Sequence, residues 1–208
     1  MIRHGFLQAG GGSTRFGTDK ALAKFAGKTM LQRTGELLES VSDDVHIVGP
    51  EGKYEEARWP LIPDRWPGEG PLGGVLTALR HIEKFDGARD QSFSWALILS
   101  CDMPFLTREF LGFLWERAAD THAQVVVPQS ENGLEPLCAC WRVEATEGIQ
   151  AAFGEGIRKV TQAMKRLSME VLDESAWKRF DSGNRLFWNM NTPGDYEEAR
   201  RILEAGNR

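Results

Sequence analysis

The segment Gln8-Ala9-Gly10-Gly11-Gly12-Ser13-Thr14-Arg15-Phe16-Gly17-Thr18-Asp19-Lys20 puts three consecutive glycines, an arginine and a lysine directly after a short apolar stretch. Without a Cβ in the way, glycine lets backbone N–H groups approach an anionic group closely. Arg15 and Lys20 add two cations that can reach polyphosphate oxygens. A flexible surface turn is the plain alternative, but three glycines in a row cost conformational entropy that a turn does not require. Two common phosphate loops do not fit. The pattern G-x-G-x-x-G, begun at Gly10 and Gly12, meets Arg15 at its third glycine; G-x-x-x-x-G-K-[ST], set on Gly12 and Gly17, meets Thr18 where its lysine belongs.

A second candidate is Ser100-Cys101-Asp102-Met103-Pro104-Phe105, which follows the most apolar run in the chain. An acid at the tip of a buried strand is a poor choice for packing, and Asp102 lies too early to cap a helix beginning near Thr107. A hard oxygen ligand for Mg²⁺ fits better, because Mg²⁺ takes one or two carboxylates together with substrate phosphates. Gly68, Gly70, Gly73 and Gly74 surround Pro71-Leu72 at the start of another predicted helix, whose N-terminus could face a ligand. Close helix packing explains these glycines equally well. Asn189 and Asn191 fall on one side of a predicted strand end. Cys101, Cys138 and Cys140 read as buried free thiols. His4, His46, His81 and His122 are scattered, without ligand spacing.

The elements that must position these residues alternate between short apolar runs and amphipathic stretches. Gly5 to Gln8, Val45 to Val48, Leu61–Ile62, Trp95 to Leu99, Gln124 to Val127, Leu137 to Trp141, Val171–Leu172 and Leu186 to Met190 read as strands. Trp95 to Leu99 is apolar throughout, as in a central strand covered on both faces. Thr29 opens a helix with a capping box to Gln32 and an apolar face of Met30, Leu31, Leu37, Leu38 and Val41. Pro71 suits the first turn of a helix whose stripe is Leu72, Val75, Leu76, Leu79 and Ile82. Thr107 begins another helix, with Leu111, Leu114, Trp115 and Ala118 inward. Further helices are expected around Ile149 to Phe153, along Ile157, Val160, Met164 and Leu167, and after Thr192, Pro193 and Asp195. Alternation of this kind predicts an α/β fold with a mostly parallel sheet and helices on both faces. Ligands then bind beyond the carboxyl ends of the strands.

Composition narrows the classes. The chain has 208 residues, 25 Lys plus Arg and 30 Asp plus Glu, for a net charge of −5. The length favours one domain spanning residues 1–208. The charge and a pI near 5.5 argue against a nucleic-acid binder. No apolar run approaches the roughly 20 residues needed to cross a bilayer. The stretch from Met1 to Gln8 is too short and too weakly charged for a signal peptide, so a cytoplasmic protein is expected. Three cysteines with no C-x-x-C pair give no disulfide framework.

The glycine loop resembles the signature A-G-G-x-S-x-R-x-G-x-D-K of nucleotidyltransferases with a Rossmann-like domain. With Asp19-Lys20-Ala21-Leu22, Pro71-Leu72-Gly73-Gly74, Cys101-Asp102-Met103-Pro104-Phe105 and Glu135-Pro136-Leu137, it is most similar to the molybdenum cofactor guanylyltransferase family. Asn189-Met190-Asn191-Thr192-Pro193 resembles that family's closing N-x-N-T-P.

The resemblance implies a three-layer fold with a mostly parallel mixed sheet. It also implies transfer of GMP from Mg·GTP to the terminal phosphate of molybdopterin, with release of pyrophosphate. It places Gln8, Ala9, Gly10, Gly11, Gly12, Lys20, Gly49, Asp64, Gly70, Asp102, Asn189 and Asn191 around the substrates. Arg15, Lys20 and Asp102 would carry the chemistry, and Asp102 would hold Mg²⁺. The sequence departs from the family at Gln8, where leucine is usual; contacts made by the backbone survive that exchange. Asp64 corresponds to a nucleotide-binding aspartate, and an acid there could accept from guanine N1–H and N2–H₂, although a turn role competes. Glu135 is placed near the second substrate. Arg158 and Lys159 could approach its phosphate but read more simply as a solvated helix face. Transient contacts with other cofactor-biosynthesis proteins belong to the same expectation, nucleic acid and membrane do not. A cytidylyltransferase for the same pterin, a sugar-phosphate nucleotidyltransferase and a non-catalytic nucleotide-binding regulator are the alternatives.

Overall fold

The structure is a computed structural model that describes residues 1–10, 19–25, 27–85 and 94–205. Its centre is an eight-stranded sheet ordered β10-β7-β9-β6-β1-β4-β5, with β8 added beside β7. The strands are β1 (Ile2–Gln8), β4 (Asp44–Gly49), β5 (Leu61–Pro63), β6 (Ser94–Ser100), β7 (Val125–Ser130), β8 (Gly133–Leu134), β9 (Cys138–Arg142) and β10 (Met169–Leu172). A separate small hairpin pairs β2 (Lys24–Phe25) with β3 (Lys28–Thr29). On the main path β9 alone runs against its neighbours, pairing antiparallel with both β6 and β7. The expected mostly parallel, mixed sheet is therefore present.

Helices cover both faces. Helices α1 (Met30–Glu39) and α3 (Arg108–Asp120) pack on one side, where Leu31, Leu38, Phe110, Leu111 and Leu114 meet Leu7, Leu97 and Leu99. Helices α2 (Pro71–Phe85), α4 (Thr146–Gly154) and α5 (Val160–Met164) close the other, against Phe6, Ala96, Ile98 and Trp141. Every residue of β6 is buried, as a strand covered on both faces requires. The capping box at Thr29 forms in full, with Thr29 Oγ1 accepting from Gln32 N and Gln32 Oε1 accepting from Thr29 N. The predicted stripe of α2 is buried from Leu72 to Ile82.

Strand order sets the site. From β1 the chain moves outward through α1 to β4 and β5, then α2 carries it back across to β6 on the other side of β1. The order reverses between β1 and β6, and in open α/β sheets the ligand crevice lies at that point. Register pairs Gln8 with Ser100, so Ala9 and Gly10 leave one strand beside Cys101 and Asp102 leaving the other.

Two sequence expectations are corrected. Leu186 to Met190 is not a strand. It joins neither edge strand, β5 or β10, and instead turns across the tip of β6, where Met190 N donates to Asp102 O at 2.9 Å. Its apolar residues are buried by packing: Phe187 meets Trp177 and Phe110 edge-on. The helix expected along Ile157 to Leu167 shortens to α5, with Ile157 in the preceding turn, where its N–H reaches Ala152 O. Short helix α6 (Glu174–Trp177) follows β10, and α7 (Pro193–Ala205) begins as expected: Asp195 Oδ2 accepts from Asn191 N and Thr192 N.

Three of the scattered histidines meet on the α2 side of the sheet. His4 and Asp44 are register partners, as are Phe6 and His46, and α2 adds His81. Asp44 accepts from His4 Nδ1 at 2.9 Å and stands 3.7 Å from His46 Nδ1; the His46 and His81 rings are 4.8 Å apart. Burial, aided by the charge of His46 and opposed by Asp44, holds the His81 pKa down at about 4, with Lys84 pushing the same way. A folded-state pKa below the unfolded value means the unfolded chain binds more protons. Stability from His81 is thus present above about pH 6.5 and lost as pH falls toward 4. Allowing for partial exposure, the loss is roughly 1–2 kcal/mol. Urea midpoints at pH 7.5 and 5 should differ less for His81→Phe, which keeps the ring contacts, than for the parent chain. An equal shift in both would remove His81 from the account.

Candidate active site

Asp102 lies just past β6, where Ser100 Oγ donates to its Oδ1 at 2.5 Å. Lys20 Nζ stands 3.9 Å from Asp102 Oδ2 and donates to Asn191 Oδ1 at 2.9 Å. Residues from the first, middle and last parts of the sequence therefore converge at the switch point. Lys20 is delivered by a 3-10 turn at Lys20–Leu22, capped by Asp19, whose Oδ1 accepts from Ala21 N. Asp19 Oδ2 accepts from Tyr54 Oη at 2.5 Å and Lys53 Nζ at 2.7 Å. Burial works against the Asp19 charge, but Lys53, Tyr54 and the Ala21 N–H outweigh it and hold the carboxyl below the usual range. Lys53 thereby balances the acid next to Lys20 and leaves the Lys20 ammonium to face Asn191 and Asp102. The sequence reading did not single out Asp19 and Tyr54, which hold the turn that carries Lys20. An acid directly before the lysine, of a type that favours helix N-caps, was the available signal.

On the β4 and β5 side the backbone is drawn tight. Gly10 has φ +94°, and a Cβ there would stand 2.4 Å from Pro50 Cδ. A Cβ at Gly49 would stand 3.1 Å from Ala9 O, and Gly49 O accepts from Asp64 N. Asp64 Oδ1 accepts from Trp66 N at 3.0 Å and Thr77 Oγ1 at 3.2 Å, so the turn role weighed for it is real. Gly73 and Gly74 serve close packing: a Cβ would stand 3.1 Å from Trp66 Cβ or 2.2 Å from Gln8 Nε2. Gly70 takes a positive φ of +83° just before α2. Arg158 is not on a solvated helix face. It pairs with Glu69 and lies 3.9 Å over the Phe153 ring, next to the glycine turn, while Lys159 is exposed at the start of α5.

On the other side, a cleft of 580 Å³ opens between β8 and the segment before α7, lined by Glu135, Trp177, Phe187, Trp188, Asn189 and Asn191 among others. Glu135 accepts from Ser130 Oγ at 2.6 Å; burial first, then the Asp102 charge, raise its pKa. Asn189 and Asn191 share this cleft although no strand alternates them. Asn189 Nδ2 donates to Phe187 O, whereas Asn191 turns to Lys20. Arg15, Gly11 and Gly12 lie outside the described residues. The three thiols are buried, and burial pushes each well above its ordinary pKa, as inert core cysteines require.

Fold and site together define a nucleotidyltransferase of the Rossmann-like kind: Gly10 and Lys20 at the switch point, an acid at the tip of the adjoining strand, and a cleft beside it. The family model of the MobA-like NTP transferase domain matches residues 5–169, and the chain belongs to that family. It is 30% identical over 205 residues to the molybdenum cofactor guanylyltransferase of Desulfosudis oleivorans, covering 97% of this chain and 96% of that one. A probable molybdenum cofactor guanylyltransferase of Clostridium perfringens is 27% identical, covering 92% and 93%. The crystal structure of molybdopterin-guanine dinucleotide biosynthesis protein A from Archaeoglobus fulgidus superimposes with a TM-score of 0.81 at 25% identity, covering 97% of this chain and 99% of that one.

Proposed function

We propose that the whole chain acts as one guanylyltransferase domain that transfers GMP from GTP to the terminal phosphate of molybdopterin, releasing pyrophosphate and forming the guanine dinucleotide. The observation that carries this reading is the convergence of Lys20, Asp102 and Asn191 between two binding regions. One is the tightly drawn backbone around Gly10 and Gly49 at the ends of β1, β4 and β5, where the switch point lies; the other is the cleft beside Glu135. The likeness to the named guanylyltransferases supports the choice of substrates. Among the described residues no helix is long and apolar enough to cross a membrane, which accords with a cytoplasmic enzyme.

A phosphate monoester has its second pKa near 6, so the pterin phosphate is already ionised at neutral pH and needs no strong base. One of its oxygens attacks the α-phosphorus of GTP as the bond to the β-phosphate oxygen breaks, and pyrophosphate leaves with that electron pair. Catalysis reduces to positioning and charge neutralisation. Lys20 supplies one cation, and the resemblance assigns Arg15 as a second. Asp102 presents a hard oxygen beside this cation, a donor that fits Mg²⁺, whose remaining ligands are phosphates and water. Bound Mg²⁺ would offset the charge of the triphosphate; Asp102 would hold it, and Ser100 orients the carboxylate. Asn191 holds the Lys20 ammonium in place without adding negative charge.

Mixing the protein with Mg²⁺, molybdopterin and each of GTP, ATP, CTP and UTP, and following pyrophosphate, tests the reading. GTP should be used in preference to the others; CTP in that place would make the chain a cytidylyltransferase, and release from none would leave a nucleotide binder. Asp64→Asn should reduce GTP use and narrow its advantage over ATP, because guanine offers N1–H where adenine presents an acceptor. Mg²⁺ dependence should not change. An unaltered GTP/ATP ratio would confine Asp64 to its turn.

A further inference from the structure

Gln8 closes β1 with its side chain on the α2 face of the sheet. Its Nε2 donates to Pro71 O at 2.9 Å. That carbonyl can only accept, so it fixes which end of the amide is nitrogen. Gln8 Oε1 is then buried and has no hydrogen-bond partner. An acceptor stripped of water and left unpaired costs stability, and a native one calls for an explanation. Packing does not supply it, since an apolar side chain of similar size would fill the place without that cost.

The position of the amide supplies it. A Cβ on Gly74 would stand 2.2 Å from Gln8 Nε2, and one on Gly73 would stand 3.7 Å from Asp64 Oδ1. The orphan amide and the Asp64 carboxylate thus lie against successive residues in the first turn of α2, at the crevice end of the sheet. Asp64 Oδ1 already accepts two hydrogen bonds from its own turn. A base edge that presents an N–H beside an NH₂ asks for more acceptor capacity than the remaining Asp64 oxygen readily gives. Gln8 Oε1 is a second acceptor against the same turn of α2, its amide held by Pro71.

We propose that Gln8 Oε1 accepts a hydrogen bond from the donor edge of the guanine base, which makes the Gln8 side chain a specificity-determining residue beside Asp64. This deepens the guanylyltransferase reading and rests on it. A neutral amide suits the role: it reads donors without placing a second negative charge near the triphosphate, and it rejects a base with an acceptor facing it.

Gln8→Leu and the nearly isosteric Gln8→Met test this on the full chain by titration calorimetry with Mg·GTP and Mg·ATP, together with melting temperatures in the absence of nucleotide. The expected result is affinity for GTP about tenfold weaker, affinity for ATP equal to or tighter than the parent's, and an unliganded melting temperature equal to or above that of the parent. A folded variant of either kind that binds GTP as the parent does overturns the assignment. So does an equal loss for both nucleotides, which would show disturbed packing. The parent protein is the control: if it takes ATP or CTP but no GTP, the guanylyltransferase reading falls, and this proposal with it.

Discussion

Asp102→Ala should lower kcat by about 10²–10³, the cost of removing one preorganised electrostatic contact, or roughly 2.7–4 kcal/mol. The fold should survive. The Asp102 side chain is partly exposed, and the link that ties the closing segment to β6 runs to its backbone oxygen, which alanine retains. Circular dichroism and the unliganded melting temperature should therefore match the parent while pyrophosphate release under saturating Mg²⁺ collapses. Retention of more than about a tenth of the activity is incompatible with a metal-holding carboxylate. Asp102→Asn is a useful companion, because an amide keeps the Ser100 hydroxyl bond but offers a weaker, neutral donor to Mg²⁺.

Lys20→Ala should reduce kcat/KM for GTP by about one to two decades and leave molybdopterin affinity nearly unchanged. Hydrogen bonds to charged groups contribute about 1.5–3 kcal/mol, and each 1.36 kcal/mol is tenfold in rate. Lys20 is half-buried, bonded to Asn191 and near Asp102, so its ammonium has a defined direction in the free protein. Asp19, Tyr54 and Lys53 fix the turn that carries it. Separate titrations with GTP and with molybdopterin decide the matter. If the pterin affinity alone fell, the two substrates would have to exchange places in the site.

What the sequence made legible follows physical lines. Leu72 to Ile82, Trp95 to Leu99 and the Thr29 capping box rest on local periodicity or a four-residue hydrogen-bond pattern, and all three are present. Asp102 was found because an acid at the end of an apolar run conflicts with packing, and the structure places it beside Lys20 and Asn191. The failures are tertiary. Leu186 to Met190 has the apolar content of a strand, but whether an apolar segment joins a sheet or packs over its end depends on tertiary contacts, here with Phe110, Trp177 and Asp102 O, that no local pattern reports. The gathering of His4, His46 and His81 depends on β1–β4 register and on where α2 lands. Arg158 looked solvated because its partners, Glu69 and Phe153, come from a distant turn and the preceding helix. Tyr54 meets Asp19 only because the loop after β4 folds back. The orphaned amide oxygen of Gln8 becomes apparent only once Pro71 O has claimed its nitrogen.

The bond from Lys20 to Asn191 joins residues 171 positions apart, and the Met190 bond to Asp102 closes the same seam. During synthesis at roughly 5–20 residues per second, a growing chain exposes Lys20 and Asp102 on the order of 10 s before Asn191 leaves the ribosome. Nascent protein in that interval has a lysine without its late partner and an acid tip without its cover. The candidate centre is thus completed only once Asn191 has been made, and turnover reports on that late segment having been threaded back to the early sheet, not on the early sheet alone.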